Sequence, residues 1–223
     1  MKTLSLDLPL KNLSNQNKIT YKEKRRSVFF LHGYGSNKED LYPICNYFSK
    51  DWVCISLEAT IPVNNNGWAW AELNYDNIEK LPKPDQMKTH LAKVTESIDK
   101  SVELLNLDPK KINLLGFSLG AALSILCGLS NPKKYRAIVA LCGFIPVEET
   151  KYHLGEKVIS DFNLFIGNGR MDPIIPLDLA RSTRDGLINM GVHPDYREYN
   201  SEHTINQECL NDFINWLEKY NTL

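Results

Sequence analysis

The pentapeptide Gly116-Phe117-Ser118-Leu119-Gly120 has the residue types and spacing of a reactive serine site. A short apolar run at 112–117 precedes the serine, and an Ala- and Leu-rich segment at 119–129 follows it. A strand that turns sharply into a helix projects the serine hydroxyl outward, and the flanking glycines allow the strand and the helix to approach closely. We therefore predict that Ser118 is a nucleophile. The alternative is a serine that only caps the helix.

A serine hydroxyl is a poor nucleophile without a general base, and the chain contains five histidines. In an open α/β sheet the ligand crevice lies outside the carboxyl ends of the strands. His203 follows the predicted strand 195–199, so we predict that it is the base. The alternative is a packed structural histidine. We expect His90 to lie on the solvated face of a long helix.

An acid that orients the base should also follow a strand, between the serine and the histidine in the chain. Asp172 meets this condition, because it comes shortly after the predicted strand 161–167. Asp178 lies on the next helix and Asp161 precedes the strand, so both are weaker candidates. We predict that Asp172 holds the tautomer of the histidine. The alternative is an aspartate that shapes a turn before Pro173.

The tetrahedral intermediate of acyl transfer carries an oxyanion, which backbone N–H groups stabilise. The N–H of Leu119, at the start of the helix, is one predicted donor. The second is the N–H of Tyr34, in the His32-Gly33-Tyr34-Gly35 turn after the predicted strand 27–31. The alternative for this turn is a tight glycine turn without a catalytic role.

Apolar patterning predicts strands that alternate with helices, which is typical of a mainly parallel, doubly wound sheet flanked by helices. The predicted strands are 27–31, 52–57, 112–117, 137–142, 161–167 and 195–199, and the predicted helices are 37–49, 85–107, 119–129, 177–190 and 206–220. Residues 1–25 are expected to form an edge hairpin. We find no linker, so we expect one α/β domain over 1–223.

The segment between Ser118 and Asp172 is filled by a helix, two strands and a loop, which leaves no room for a cap domain. The site should therefore be bounded by loops, chiefly 58–84 and 143–160. Four apolar side chains in these loops are candidates for an acyl pocket: Trp68, Trp70, Phe144 and Ile145. The alternative is that they only pack the loops.

Composition excludes several other classes of function. The 26 basic and 27 acidic residues leave a net charge of −1, which argues against nucleic-acid binding. The longest apolar stretch, 138–147, is far below the roughly 18 residues that span a bilayer. The sequence has no P-loop, no dinucleotide motif and no His/Cys cluster, so no cofactor and no metal are expected.

The cysteines and the N-terminus indicate a cytoplasmic location. The five cysteines are an odd set without a CxxC pair, and we expect buried, reduced thiols. Asp7 and Pro9 interrupt any signal-peptide apolar region.

Five segments together carry a resemblance to a known family. They are LHGYGSNKEDL (31–41), GWAW (67–70), LLGFSLGAALSI (114–125), GNGRMDPIIPL (167–177) and EHTINQECLNDFINWL (202–217). The chain resembles the phospholipase/carboxylesterase family, the acyl-protein thioesterase-like branch of the α/β-hydrolases. The resemblance implies the same nucleophile, acid, base and oxyanion donors, and hydrolysis of a small-molecule ester or thioester without a cofactor.

Three positions depart from the family pattern and bear on the substrate. Leu119 stands where thioesterase members usually carry Gln, Glu202 replaces a common Gly, and Glu58-Ala59-Thr60 replaces an Arg-Ala-Pro-like run. The leading hypothesis is hydrolysis of carboxylic esters with small to medium acyl chains. Acyl-protein thioesters or lysophospholipids are the alternative substrates, and a non-hydrolytic enzyme or a binding module on the same fold stays open.

Overall fold

The computed structural model describes residues 4–19, 22–63, 67–73, 84–148, 150 and 162–222. Its strands are β1 (Asn12–Ser14), β2 (Arg25–Leu31), β3 (Trp52–Leu57), β4 (Ile61–Val63), β5 (Gly67–Ala69), β6 (Leu107–Phe117), β7 (Ala137–Leu141), β8 (Leu164–Gly169) and β9 (Asp195–Tyr199). Its α-helices are α1 (Pro84–Leu105), α2 (Leu119–Ser130), α3 (Leu177–Asn189) and α4 (Gln207–Thr222).

Seven strands form one sheet in the order β1-β3-β2-β6-β7-β8-β9. Every neighbouring pair is parallel except β1 and β3, which pair antiparallel at the edge of the sheet. This confirms the predicted mainly parallel, doubly wound α/β sheet. Parallel strands are buried on both faces, which explains why β2, β3, β7 and β8 read as continuous apolar runs rather than alternating ones.

Helices cover both faces of this sheet. One face packs against α1, α2 and α3 through side chains such as Phe29, Val94 and Leu123. The other face packs against α4 through Phe30, Phe165 and Phe213. The described residues include no helix that is both long and apolar enough to cross a membrane.

The segment after β2 differs from its prediction. The apolar spacing predicts an α-helix over 37–49, but the structure has only a 3-10 helix at Tyr42–Tyr47. The side chain of Asn37 accepts a hydrogen bond from the N–H of Glu39 at 2.8 Å, and this local turn competes with a helical start. Pro43 then restricts where the helix can begin.

Other predicted boundaries move by a few residues. Strand β8 runs to Gly169 rather than ending at residue 167, and Asp161 lies outside the described residues. Much of the two loops expected to bound the site, 58–84 and 143–160, also lies outside them. Within the first loop, β4 and β5 form a small antiparallel pair.

Candidate active site

Ser118 occupies the strained turn between β6 and α2. Its backbone has φ 54° and ψ −117°, a conformation that residues other than glycine rarely adopt. The N–H of Ser118 donates a hydrogen bond to the carbonyl oxygen of Leu141 at 2.8 Å, which ties the turn to the end of β7. Such strain persists only where the surrounding structure imposes it, and it is common at reactive sites.

The two glycines of the pentapeptide are required by close packing. A Cβ at Gly116 would overlap the carbonyl oxygen of Gly120, and a Cβ at Gly120 would overlap the carbonyl oxygen of Leu31. Helix α2 therefore begins directly against the end of β2, where the His32-Gly33-Tyr34-Gly35 turn starts. This contact brings the turn beside Ser118: a Cβ at Gly33 would lie 3.4 Å from the Cβ of Ser118.

Asp172 and His203 form a hydrogen-bonded pair in which the carboxylate is buried and the imidazole is partly exposed. The Nδ1 atom of His203 lies 2.7 Å from the Oδ2 atom of Asp172. The other carboxylate oxygen, Oδ1, accepts hydrogen bonds from the N–H groups of Ile174 at 2.8 Å and Ile175 at 2.9 Å. The carboxylate is thus held from both sides. An ionised carboxylate can only accept a hydrogen bond, so the neutral imidazole carries its proton on Nδ1. Its Nε2 atom can then accept a proton from another group.

The environment of Asp172 keeps its carboxylate ionised. Burial by itself raises the pKa of this group, but the hydrogen bonds from His203, Ile175 and Ile174 outweigh it and lower the pKa below its ordinary value. Three donors to one carboxylate favour the charged form. The site therefore presents a fixed negative charge behind the imidazole at neutral pH.

Adjacent parallel strands bring Asp172 and His203 together. Asp172 follows β8, and His203 follows β9, which pairs with β8 up to Gly169 and Tyr199. The two loops touch closely, because a Cβ at Gly169 would overlap the carbonyl oxygens of Ser201 and Glu202. The sheet register therefore sets the separation of the acid and the base.

Ser118 and His203 line the same cavity, which has a volume of about 350 Å³. The imidazole also packs against the ring of Phe117, with 4.9 Å between centroids. The described residues show no hydrogen bond between Ser118 Oγ and His203 Nε2. Hydrogen bonds between catalytic groups are often long without substrate and tighten in the complex.

The wall of this cavity is mainly apolar. Its described lining residues are Gly33, Tyr34, Ser36, Asp40, Leu73, Met87, Phe117, Ser118, Leu119, Ala122, Leu126, Gly143, Phe144, Ile145, Pro146, Ile174, Ile175 and His203. Phe144 and Ile145 are thus at the cavity, as the sequence analysis expects of an acyl pocket. The volume lies near the lower end of the roughly 300–1,000 Å³ typical of small-molecule sites.

Trp68 and Trp70 do not line the cavity, contrary to expectation. Trp70 is completely buried, and its indole N–H donates to the carbonyl oxygen of His32 at 2.7 Å. The N–H of Gly35 donates a hydrogen bond to the carbonyl oxygen of Trp68, and the N–H of Trp68 donates to that of Ser36. These bonds hold the turn in place. A buried indole needs a hydrogen-bond acceptor. The acceptor here is the carbonyl oxygen of His32, which starts the turn and is not among the described lining residues of the cavity.

His90 is also not where the sequence analysis places it. It is 2% exposed, and its Nε2 atom accepts a hydrogen bond from the N–H of Thr60 at 3.1 Å. Its ring packs edge-on against Trp70, with 5.4 Å between centroids. Burial lowers the pKa of His90, so it is neutral at pH 7. Local spacing in α1 does not predict this burial, because the partner Thr60 belongs to a distant segment between β3 and β4.

The two expected oxyanion donors lie at this cavity. Tyr34 and Leu119 both belong to its lining, one in the turn after β2 and the other as the first residue of α2. The first N–H groups of a helix have no carbonyl one turn earlier to bind. His32 braces the turn: its Nδ1 lies 2.7 Å from the carbonyl oxygen of Gly33, and its Nε2 accepts from the N–H of Ala59.

Cys142 lies near the acid and the base, and the side-chain donor atoms of the three residues fall within 4.8 Å of one another. These donors do not suit a resident metal ion. The Cys142 thiol is buried, which raises its pKa to about 12, and its Sγ lies 3.7 Å from the carbonyl oxygen of Thr204. Asp172 and His203 already engage each other. The arrangement fits an acid–base pair better than a metal centre.

Most of the cavity wall, including Met87, Leu126, Ile174 and Ile175, is not predicted by the sequence patterns. Of these unpredicted residues, only the part of the wall formed by α2 has a signal in the sequence. Leu119, Ala122 and Leu126 follow the serine at helical spacing and share one face of α2. The residues contributed by α1 and by the loop after Asp172 carry no comparable local signal.

A family model and several curated relatives match most of this chain. A family model described as Phospholipase/Carboxylesterase matches residues 16–221. Acyl-protein thioesterase 1 of Cryptococcus neoformans is 28% identical over 185 residues, covering 77% of this chain and 76% of that protein. Acyl-protein thioesterase 1 of Debaryomyces hansenii is 24% identical over 216 residues, covering 89% and 93%.

Solved structures show the same fold. The crystal structure of esterase PE8 superposes with a TM-score of 0.80 at 22% identity, over 99% of this chain and 100% of that chain. A carboxylesterase from Mesorhizobium loti superposes with a TM-score of 0.79 at 19% identity, over 98% and 99%. At these identities the likeness concerns the architecture of the chain, which is that of the α/β-hydrolases.

Proposed function

Because this chain belongs to the phospholipase/carboxylesterase family, we propose that it is a serine hydrolase that cleaves carboxylic esters through an acyl-enzyme. One observation carries the proposal. His203 is held by Asp172 at 2.7 Å and shares an apolar cavity with Ser118, which lies in a strained strand-to-helix turn. A nucleophile, a base and an orienting acid are the parts that acyl transfer requires.

In the proposed reaction, Ser118 Oγ attacks the ester carbonyl and Nε2 of His203 takes its proton. The imidazolium that forms is stabilised by Asp172, and it returns the proton to the departing alcohol. A water molecule, activated by the same imidazole, then attacks the acyl-enzyme and releases the carboxylic acid. In this second step Ser118 Oγ is the leaving group and takes a proton back from the imidazolium, which restores the free enzyme.

The oxyanion of each tetrahedral intermediate would accept hydrogen bonds from the N–H groups of Tyr34 and Leu119. Removing one such donor typically costs about 2.7–4 kcal/mol of transition-state stabilisation. Both donors belong to the backbone, so this role does not depend on the side chains of the two residues. The side chain of Leu119 is apolar and 4% exposed, and it extends the acyl wall.

The cavity favours a small to medium acyl chain. Its wall is apolar around Leu126, Phe144 and Ile145, and its volume of about 350 Å³ is modest. A thioester or lysophospholipid substrate is the second candidate, favoured by the relatives named acyl-protein thioesterase 1. The same nucleophile and oxyanion donors serve an oxygen ester and a thioester.

We further propose a cytoplasmic location, supported by the cysteines. All five are buried, and the described residues contain no disulfide. Reduced thiols persist in a reducing compartment, whereas proteins of oxidising compartments commonly carry disulfides.

The test of the proposed function is a series of initial rates on p-nitrophenyl esters from acetate to palmitate, with Ser118→Ala as the blank. We expect a maximum at short to medium chains and no turnover by the variant. A maximum at long chains would instead favour the lysophospholipase or thioesterase activity and would be followed with S-acyl peptides. Equal rates for both proteins at every chain length would refute the proposal.

A further inference from the structure

The cavity at Ser118 has one feature that hydrolysis itself does not need. Among its described lining residues, Asp40 is the one carboxylate, and the others are apolar or uncharged apart from the titratable His203. Asp40 is exposed to solvent, whereas Phe144 and Ile145 in the same wall are buried. Asp40 therefore lies where the cavity opens, as does the exposed Ile174, and the buried apolar residues form the interior.

Among the described residues, no cation forms an ion pair with the carboxylate of Asp40. Lys38 is the nearest basic residue in the chain, but its ammonium group lies 2.7 Å from the buried carboxylate of Glu58. Lys11 also lies 3.9 Å from that carboxylate. Within the part of the chain that the structure describes, Asp40 itself forms no ion pair. Its charge is thus available to a ligand at the opening.

The carboxylate of Asp40 has no evident structural task in its own turn. Main-chain and amide groups hold this turn: the N–H of Asp40 donates to the carbonyl oxygen of Asn37 at 3.3 Å, and the Asn37 side chain accepts from Glu39. The 3-10 helix that follows starts at Tyr42 without a side-chain cap. A change of Asp40 to Asn therefore leaves these contacts in place.

We propose that Asp40 selects substrates by charge: it favours esters whose alcohol part carries a cation, such as a quaternary ammonium group, and disfavours anionic alcohols. This inference rests on the proposed function. With the acyl chain in the apolar interior and the carbonyl at Ser118, the alcohol part must face the opening, where Asp40 lies. A cationic alcohol part would be attracted to the carboxylate of Asp40, and an anionic one would be repelled by it.

The test uses two esters of equal shape, butyrylcholine and 3,3-dimethylbutyl butyrate, which differ in having a trimethylammonium or a tert-butyl group. The quantity measured is the ratio of kcat/KM for the cationic ester to that for the neutral one. Both esters are also measured as competitive inhibitors of p-nitrophenyl butyrate hydrolysis, so that a slowly cleaved ester still reports its binding.

At low ionic strength we expect the unmodified protein to prefer the cationic ester by about threefold to tenfold. Asp40→Asn should bring the ratio close to one, and added salt should lower it in the unmodified protein because the charge is exposed. Glu39→Gln is the matched control. It removes the adjacent exposed charge, which does not line the cavity, and should retain the preference.

The proposal is overturned if the unmodified protein shows equal ratios, if Asp40→Asn keeps the preference, or if neither ester competes for the site. It is also overturned if Glu39→Gln lowers the ratio as much as Asp40→Asn, since the general field of the loop would then be responsible. Failure of the proposed function is recognised separately, because p-nitrophenyl butyrate itself would then show no turnover above that of Ser118→Ala.

Discussion

Replacing Asp172 by Asn tests whether this acid acts through the tautomer of His203. The Asn side chain keeps an oxygen that can accept from the N–H groups of Ile174 and Ile175, which now bind Oδ1 of the aspartate at 2.8 and 2.9 Å. Its amide nitrogen would then face Nδ1 of His203 and donate to it. The imidazole must carry its proton on Nε2 instead and can no longer accept one from Ser118.

The size of the effect follows from this change in tautomer. The corresponding exchange in serine hydrolases with an Asp-His-Ser triad lowers kcat by about 10⁴, which corresponds to about 5 kcal/mol of transition-state stabilisation. We expect a loss of this order in kcat on p-nitrophenyl butyrate, with a much smaller change in KM, because the apolar wall is unaltered. The fold should persist, because the buried turn keeps its hydrogen bonds.

The assay compares Asp172→Asn with Asp178→Asn under identical conditions. Asp178 is exposed at the start of α3 and is the matched loss of a carboxylate away from the pair. Thermal unfolding of each variant separates a loss of chemistry from a loss of structure. A fall in kcat of less than tenfold for Asp172→Asn, in a folded protein, would refute the tautomer argument. An equal loss for Asp178→Asn would do the same.

Three further predictions concern the scaffold of the site. Gly120→Ala should lower the free energy of unfolding by about 2–4 kcal/mol in chemical denaturation, because its Cβ would overlap a carbonyl oxygen at the end of β2; an unchanged transition midpoint would contradict the close packing. Burial lowers the pKa of both His32 and His90 in the folded state, so the unfolded chain binds protons first. Their contribution to stability should be complete above about pH 6.5 and should decline as the pH falls below it, and unfolding free energies that stay constant from pH 7.5 to 5 would exclude this. Thr183→Val should flatten the chain-length profile, which we expect to peak at short to medium acyl chains, because the Thr183 hydroxyl accepts from the N–H of Ile145 at 3.1 Å and fixes that part of the wall; Thr183→Ser should restore the profile, and identical profiles for all three proteins would rule out the positioning role.

Local patterns in the sequence account for much of the sheet and for the turn at Ser118. Strand β3, WVCISL, is a mainly apolar run rich in strand-forming residues, and its predicted bounds agree with the structure. The predicted bounds of β9 also agree, although β9 contains three charged residues. The prediction over 37–49 fails for a local reason as well, since apolar spacing there does not register the Asn37 turn or the effect of Pro43. Periodicity describes which side chains share a face, but not whether the backbone can start a helix.

The burial of His90 and Trp70 has no counterpart in local patterning. His90 lies among polar residues of α1, and its partner Thr60 follows β3. Trp70 stands near Trp68 in a loop, a pattern that is compatible with the wall of a pocket. The hydrogen bond from its indole N–H to the carbonyl oxygen of His32 instead holds it in the core. In both cases a hydrogen bond between distant segments decides the orientation of the side chain.

The sequence by itself determined the parts of the site that depend on chain order: a serine in a strand-to-helix turn, and an acid and a histidine each placed after a strand. Parallel strands align their carboxyl ends, so this order is enough to predict that Asp172 and His203 meet. Only the tertiary structure decided which side chains form the cavity, with Phe144 in the wall, Trp70 behind it and Asp40 at the opening. The reason is physical. The position of a strand along the chain depends mainly on neighbouring residues, whereas a cavity is the space left after distant segments have packed.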